Sequence, residues 1–136
     1  ECSWIILDHI SILVSGLDVA DERKAIDICM TKLRTLVEET GVGMLLVSHL
    51  RRPEGNKGFE DGLQVSLNAL RGSQAIGQLS DMVIGLERDQ QGEDSNTTTV
   101  RVVKNRFSGE TGKAAELNYN QDTGRLVEQS FSDMPF

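Results

Sequence analysis

Four apolar residues in succession, Trp4-Ile5-Ile6-Leu7, end on an acid, Asp8. An uninterrupted run of this kind predicts a parallel strand covered by helices on both faces, with the acid at its C-terminal tip. From Asp21 to Thr40 the pattern changes period. Ile26, Cys29, Met30, Leu33, Leu36 and Val37 recur at three- and four-residue spacing, with Arg23, Lys24, Asp27, Lys32 and Arg34 mainly between them. This predicts an amphipathic helix, stopped by Gly41. Met44-Leu45-Leu46-Val47 is a second buried strand, ending at Ser48-His49. Strand, helix and strand in this order form a βαβ unit with a right-handed crossover.

Residues 50–65 hold one Pro and three Gly with little periodicity, and a loop of that length inside a domain is usually functional or mobile. Ser66 is placed to cap a short helix through Leu70, and a second helical stretch is predicted from Ser73 to Leu79. Asp81 to Leu86 predicts a third strand, followed by a polar exit over 88–96. Thr97 to Val103 is a β-branched strand. Two shorter strands, Ala114–Tyr119 and Arg125–Glu128, flank Asn120-Gln121-Asp122-Thr123-Gly124, a hairpin turn by composition. Residues 129–136 read as a tail. The βα units come first and the closely connected strands later, which predicts an α/β fold whose mixed sheet has a parallel core and antiparallel edge strands. Ligands in such sheets bind beyond the carboxyl ends of the parallel strands, where Asp8 and His49 both lie.

Composition narrows the class. The 136 residues carry 14 Lys+Arg against 21 Asp+Glu, with 38% hydrophobic residues. One ordinary globular domain fits these values. No apolar run approaches the roughly 20 residues of a membrane span, and the first residues lack a secretory pattern, so an intracellular, cytoplasmic protein is expected. A net charge of −7 argues against a basic surface overall but not against a locally basic groove. Cys2 and Cys29 are too few for a zinc framework; a disulfide between them is left open and not expected.

Several side chains could carry chemistry. Four apolar residues ending in Asp8 make a Walker B pattern, in which the carboxylate orders a magnesium ion beside a triphosphate. The same pattern also arises where an Asp caps a turn. Asp8-His9 with His49 invites a metal or hydrolase reading, but no Gly-x-Ser-x-Gly elbow accompanies it. His49 either reaches a γ-phosphate from the adjacent strand tip or bonds its own loop. Arg51, Arg52 and Lys57 could follow a phosphate backbone, or form only a solvated loop. Arg106, closing a strand before Gly109 and Gly112, could neutralise charge on a transferring phosphoryl group, or sit idle beside a turn.

Five segments then occur in a telling order: Trp-Ile-Ile-Leu-Asp-His-Ile-Ser-Ile at 4–12, Val-Ser-His-Leu at 47–50, Leu-Arg-Gly-Ser-Gln-Ala-Ile-Gly-Gln-Leu-Ser-Asp at 70–81, Leu-Glu-Arg at 86–88 and Lys-Asn-Arg-Phe-Ser-Gly-Glu-Thr-Gly at 104–112. Over nearly its whole length the chain resembles DnaB-type replicative helicases with a RecA-like core, in particular the helicase half of fused phage primase/helicase proteins. The resemblance implies a RecA-like mixed sheet over residues 1–128. It makes Asp8 the magnesium-ordering acid, His49 the γ-phosphate sensor, Gln78 a link between nucleotide state and DNA loops, and Arg106 an arginine finger acting on a neighbouring subunit. Arg88 and Tyr119 match positions that hold the adenine. Arg51, Arg52 and Lys57, with Gly72 and Ser73 near the central channel, fall where the family meets DNA. The implied ligands are ATP or another NTP and Mg2+; the implied partners are single-stranded DNA, identical subunits in a ring, and a primase domain or polymerase.

One departure qualifies this. No Gly-x-x-x-x-Gly-Lys-Ser/Thr segment occurs, so the phosphate cradle of a P-loop is missing. The chain is therefore expected to be the C-terminal part of a helicase domain and inactive alone. A sheet edge and an apolar face would then be left open to pairing with another chain. Two other readings remain at this level. A RecA-type recombinase shares the sheet and Walker B acid but would lack the Arg-Phe-Ser-Gly-Glu-Thr-Gly turn; a stand-alone DNA-binding or assembly module would never have had a P-loop.

Overall fold

The apolar run at the start of the chain forms β1 (Trp4–Leu7), which pairs in parallel with β2 (Gly43–Leu46). Trp4 lies opposite Gly43 and Leu7 opposite Leu46. The structure is a computed structural model and describes residues 2–16 and 21–128. The expected tail at 129–136 lies outside the described residues. The chain divides into two compact units, Glu1–Arg51 with Asn68–Ser80, and Arg52–Leu67 with Asp81–Phe136.

In the first unit, α2 (Glu22–Thr40) joins the two strands. Its limits follow from its ends. The Asp21 carboxylate accepts from the backbone N–H groups of Arg23 and Lys24 at 3.0 and 3.4 Å, a cap worth about 1 kcal/mol. Gly41 adopts φ +71, and its N–H closes the last turn on the Val37 carbonyl. Two short helices complete the unit: α1 (Ile10–Ser15), which the hydrophobic pattern did not reveal, and α3 (Gln74–Leu79). Ile10, Val14, Ala25, Ile26, Met30 and Ile76 make the core, with Cys29, Leu46, Leu70, Ala75 and Leu79 packed against it. Burial pushes the Cys29 thiol up, with the Lys32 charge opposing it, so the side chain serves as a small apolar filler.

Ser73 is 7% exposed and ties two of these helices together. Its Oγ accepts from the Ala75 N–H at 3.0 Å, capping α3, and donates to the Asp27 carboxylate on α2. Gly72 precedes it at φ +104, where an added Cβ would collide with the Ile26 side chain. Glycine is therefore required twice over, by conformation and by space.

In the second unit, β3 (Met82–Glu87), β4 (Thr97–Asn105), β5 (Gly112–Asn120) and β6 (Arg125–Glu128) form an antiparallel sheet in sequence order. Glu87 anchors the preceding loop to it. One carboxylate oxygen accepts from the Val65 N–H at 2.8 Å and from Arg101 Nε at 2.7 Å, and the other lies 3.1 Å from a second guanidinium nitrogen. These bonds push the Arg101 guanidinium further toward its charged form. Val65 itself is buried over Gly85, whose missing Cβ would stand 3.0 Å from it. The long loop is thus partly tied down. Its 58–63 segment turns on itself, the Asp61 carboxylate accepting from the Gly58 N–H at 2.8 Å, and the Gln90 N–H reaches the Glu60 carbonyl at 2.8 Å.

The fold class stands as expected, with parallel and antiparallel parts both present, but they form two separate ladders. Consecutive antiparallel strands pair through direct connections with no crossover, which accounts for the β3–β6 sheet. Burial differs from expectation more sharply. Along β1 exposed and half-buried residues alternate; Trp4 is 68% and Ile6 72% exposed, and Leu45 on β2 is 51% exposed. The helical core packs against the face that carries Leu46, so burial on both faces is not met. The helix expected from Ser66 is a single 3-10 turn at Leu67–Ala69. Among the described residues no helix is long and apolar enough to cross a membrane.

Ser73→Ala removes a helix cap and leaves the Asp27 carboxylate without its hydroxyl donor. The variant is expected to lose about 1–3 kcal/mol in urea unfolding. An unchanged midpoint would show that this contact contributes nothing to the fold.

Candidate functional site

Parallel pairing in register means that β1 and β2 end side by side. The Val47 N–H donates to the Leu7 carbonyl at 2.9 Å and the Ile10 N–H to the Val47 carbonyl at 3.2 Å, extending the pairing just past the strands. Asp8 and His49 therefore emerge at one edge, as their strand-tip positions lead one to expect. Asp8 is an exposed carboxylate. The His49 ring is exposed and lies against the ring of His9, with centroids 4.0 Å apart and planes inclined by 40°.

Beyond His49 the chain is clamped. The Arg71 N–H donates to the His49 carbonyl at 2.9 Å and the Arg51 N–H to the Ala69 carbonyl at 2.7 Å, while Leu50 and Leu70 form an antiparallel bridge. Arg51 is exposed, and its guanidinium bonds the Asn68 carbonyl at 3.4 Å. The same short ladder leads straight into Gly72 and Ser73, both of which have packing roles. Ser73 is buried and its hydroxyl is engaged at both ends of its reach, so what these two positions offer a ligand is backbone. Gln78 lies on the exposed side of α3.

The remaining candidates belong to the second unit. Arg52 and Lys57 are exposed on the loop. Arg88 follows β3 directly, and its Nε donates to the Ser95 carbonyl at 2.5 Å. The Tyr119 N–H donates to the neighbouring Asn96 carbonyl at 2.9 Å. Arg88 and Tyr119 are thereby brought to the same end of the sheet, with Tyr119 39% exposed.

Arg106 stands at the opposite end. The Asn105 side chain accepts from the Phe107 and Ser108 N–H groups at 3.0 and 3.3 Å and shapes the turn, and Gly109 takes φ +75. The Arg106 N–H donates to the Asp81 carbonyl at 2.8 Å, and its guanidinium pairs with the Asp81 carboxylate at 3.2 Å. Its side chain is nonetheless 62% exposed. Thr99 of β4 pairs with Glu87, so Arg88 and Arg106 are about eight residues apart along β4, or about 27 Å.

Three residues that shape these positions were missed from sequence, Glu87, Arg101 and Asp81, while His9 was weighed only in the metal or hydrolase reading. Two had a readable signal. Arg101 is a single cation within a Thr/Val-rich strand, and Glu87 ends an apolar one; a charge in such a run calls for a partner. Among the described residues there is no cluster of three or more His, Cys, Asp or Glu able to hold a metal.

The chain is 49% identical over 131 residues to a DNA helicase/primase of Enterobacteria phage T3, covering 96% of this chain and 23% of that protein. Its fold is similar to that of a solved ATPase domain, with a TM-score of 0.77 and 22% identity over 93% of this chain and 44% of the other. A DnaB-like replicative helicase, solved in a study of its interactions with primase, gives a TM-score of 0.72 and 22% identity over 91% and 29% of the two chains. The chain thus spans less than half the length of each of these relatives. The family model of the DnaB-like helicase C-terminal domain matches residues 1–128; this chain belongs to that family.

Proposed function

We propose that residues 1–128 are the C-terminal portion of a RecA-like ATPase domain in a replicative DNA helicase. The parent protein would couple ATP hydrolysis to movement along single-stranded DNA and to duplex unwinding, and the present segment would be inactive alone. The observation that carries the reading is the separation of Arg88 and Tyr119 from Arg106 along β4. A nucleotide gripped by the first pair is out of reach of the Arg106 carried on the same sheet. Such a layout suits ATP bound between identical subunits in a ring, each subunit gripping one nucleotide and reaching toward the next.

Each role follows from local chemistry. An exposed carboxylate at a strand tip fits Mg2+, which takes one or two carboxylates together with substrate phosphates, so Asp8 is the residue that would hold it. Bound there, the ion supplies charge neutralisation at the phosphates. His49, at the adjacent tip, hydrogen-bonds the γ-phosphate region. Arg88 and Tyr119 offer a guanidinium and a phenol ring to the faces of the adenine. Arg106 is held by an exposed ion pair with Asp81, and pairs of that kind are worth about 0–1 kcal/mol. Asp81 therefore orients the guanidinium without preventing its transfer to a phosphoryl oxygen. Gln78, on a helix whose cap is fixed to α2, links nucleotide state to the DNA-facing segments.

Arg51, Arg52 and Lys57 supply the local positive charge for single-stranded DNA, with the Gly72–Ser73 backbone following the Leu50–Leu70 bridge on its His49 side. A primase partner, fused or separate, is supported by the T3 relative, a helicase/primase by name, and by the solved DnaB-like helicase, which interacts with primase. The site of action is the cytoplasm.

Two measurements on the intact protein test this. Asp8→Asn and Arg106→Ala subunits are each expected to be inactive in DNA-stimulated ATP hydrolysis. When they are mixed within one ring, some interfaces pair an intact Asp8 with an intact Arg106 from different subunits, and activity is expected to return. No recovery in rings shown to be mixed would mean that Arg106 acts within its own subunit or not at all. Replacing Arg51 and Arg52 by Ala is expected to weaken single-stranded DNA binding and to flatten its log–log salt dependence by about 0.7 for each phosphate no longer neutralised. An unaltered slope would remove them from the DNA path.

A further inference from the structure

The second histidine at the strand tips has no part in the roles above. His9 directly follows Asp8 and is the N-cap residue of α1, yet its side chain makes no capping bond. Its Nδ1 is buried and has no hydrogen-bond partner among the described residues. The ring instead lies on that of His49, 4.0 Å between centroids. The main chain at both residues is fixed. The Ile12 N–H donates to the His9 carbonyl at 3.0 Å, the Ile10 N–H to the Val47 carbonyl at 3.2 Å, and the Arg71 N–H to the His49 carbonyl at 2.9 Å. What those bonds leave free is the direction of the exposed His49 imidazole. Among the described residues that imidazole accepts or donates no hydrogen bond, and the face of His9 is what restrains it.

We propose that His9 is a positioning residue for His49. In tilted contact with it, His9 holds the imidazole in the orientation from which it meets the γ-phosphate, so that the ring need not be ordered anew in each turnover. The backbone clamps on both sides give the pair a rigid frame, and the flat face of His9 limits rotation about the His49 side-chain bonds. The inference rests on the reading of His49 as the nucleotide-facing residue. An aromatic contact of this kind is worth a change in kcat of several-fold to about tenfold.

The test uses the intact protein that carries this chain, with kcat and KM for DNA-stimulated ATP hydrolysis measured for His9→Ala, His9→Phe and His49→Ala, and a thermal melt for each. His9→Ala is expected to lower kcat several-fold to about tenfold while KM and melting temperature stay near those of the unaltered protein. His9→Phe, which keeps a flat ring and no ring nitrogen, is expected to restore most of the rate. Equal losses in the Ala and Phe variants, a loss that follows a fall in melting temperature, or full activity in His9→Ala beside an inactive His49→Ala would overturn the positioning role and leave that of His49 intact. Full activity in His49→Ala would instead overturn the reading of His49 on which the inference depends.

Discussion

Two neighbouring strands whose connection includes a helix long enough to carry the chain back run in the same direction, and when their register is even they also end together. Here α2, nineteen residues or about 28 Å long, carries the chain back along β1 so that Gly43 starts level with Trp4. Everything at the candidate nucleotide edge depends on this pairing. It sets Asp8 and His49 side by side, brings His9 against His49, and directs the chain from Arg51 into the loop and back to Gly72. The pairing is held from one side by Ile10, Val14, Ala25, Ile26, Met30 and Ile76, and from within by the caps at Asp21, Gly41 and Ser73. A one-residue slip would turn Leu46 away from that core and move the two tips apart.

The antiparallel unit separates the two arginines to which the proposed function gives different nucleotides. A sheet is stiff along its strands, and β4 fixes the distance between Arg88 and Arg106 in a way that no loop could. The mounting of each cation matches its proposed task. Arg101, half-buried and bonded through two nitrogens to Glu87, fixes the carboxylate that holds the loop residue Val65 on the sheet. Arg106, exposed and bonded through one nitrogen to Asp81, is oriented but not committed. The contrast between a more buried pair and a more exposed one fits a structural role for Arg101 and the phosphate-facing role proposed for Arg106.

Much of this was legible in the sequence, and for identifiable reasons. The extent of α2 could be read almost to the residue, because its apolar stripe and its Gly41 stop agree. The strand tips at Asp8 and His49 followed from apolar runs that end in polar residues. The six residues of α1 were not legible, since Ile12 and Leu13 are as apolar as the buried Ile10 and Val14 and show no polar face. The open face of β1 could not be read from its pattern, because an uninterrupted apolar run marks a strand but not what covers it; the missing P-loop segment was the signal for an uncovered apolar face. The anchoring of the loop through Val65 and Glu87, 22 residues apart, is a tertiary fact that no local pattern carries. Spacing alone left Arg106 between a cation that neutralises a phosphoryl group and an arginine idle beside a turn, and gave Arg88 and Tyr119 no role; resemblance to a family supplied their proposed tasks. Buried Ser73, expected near DNA on the same grounds, is accounted for here by packing.

The central claim is that the two ends of the β4 sheet attend to two different nucleotides. Electron cryo-microscopy of the intact protein bound to single-stranded DNA and a non-hydrolysable ATP analogue addresses it directly. The expected result is adenine between Arg88 and Tyr119 of one subunit, with the γ-phosphate of that same nucleotide met by Arg106 from a neighbour. A nucleotide contacted by Arg88 and Arg106 of one subunit, or an Arg106 that stays on Asp81 with no phosphate in reach at any interface, would contradict it.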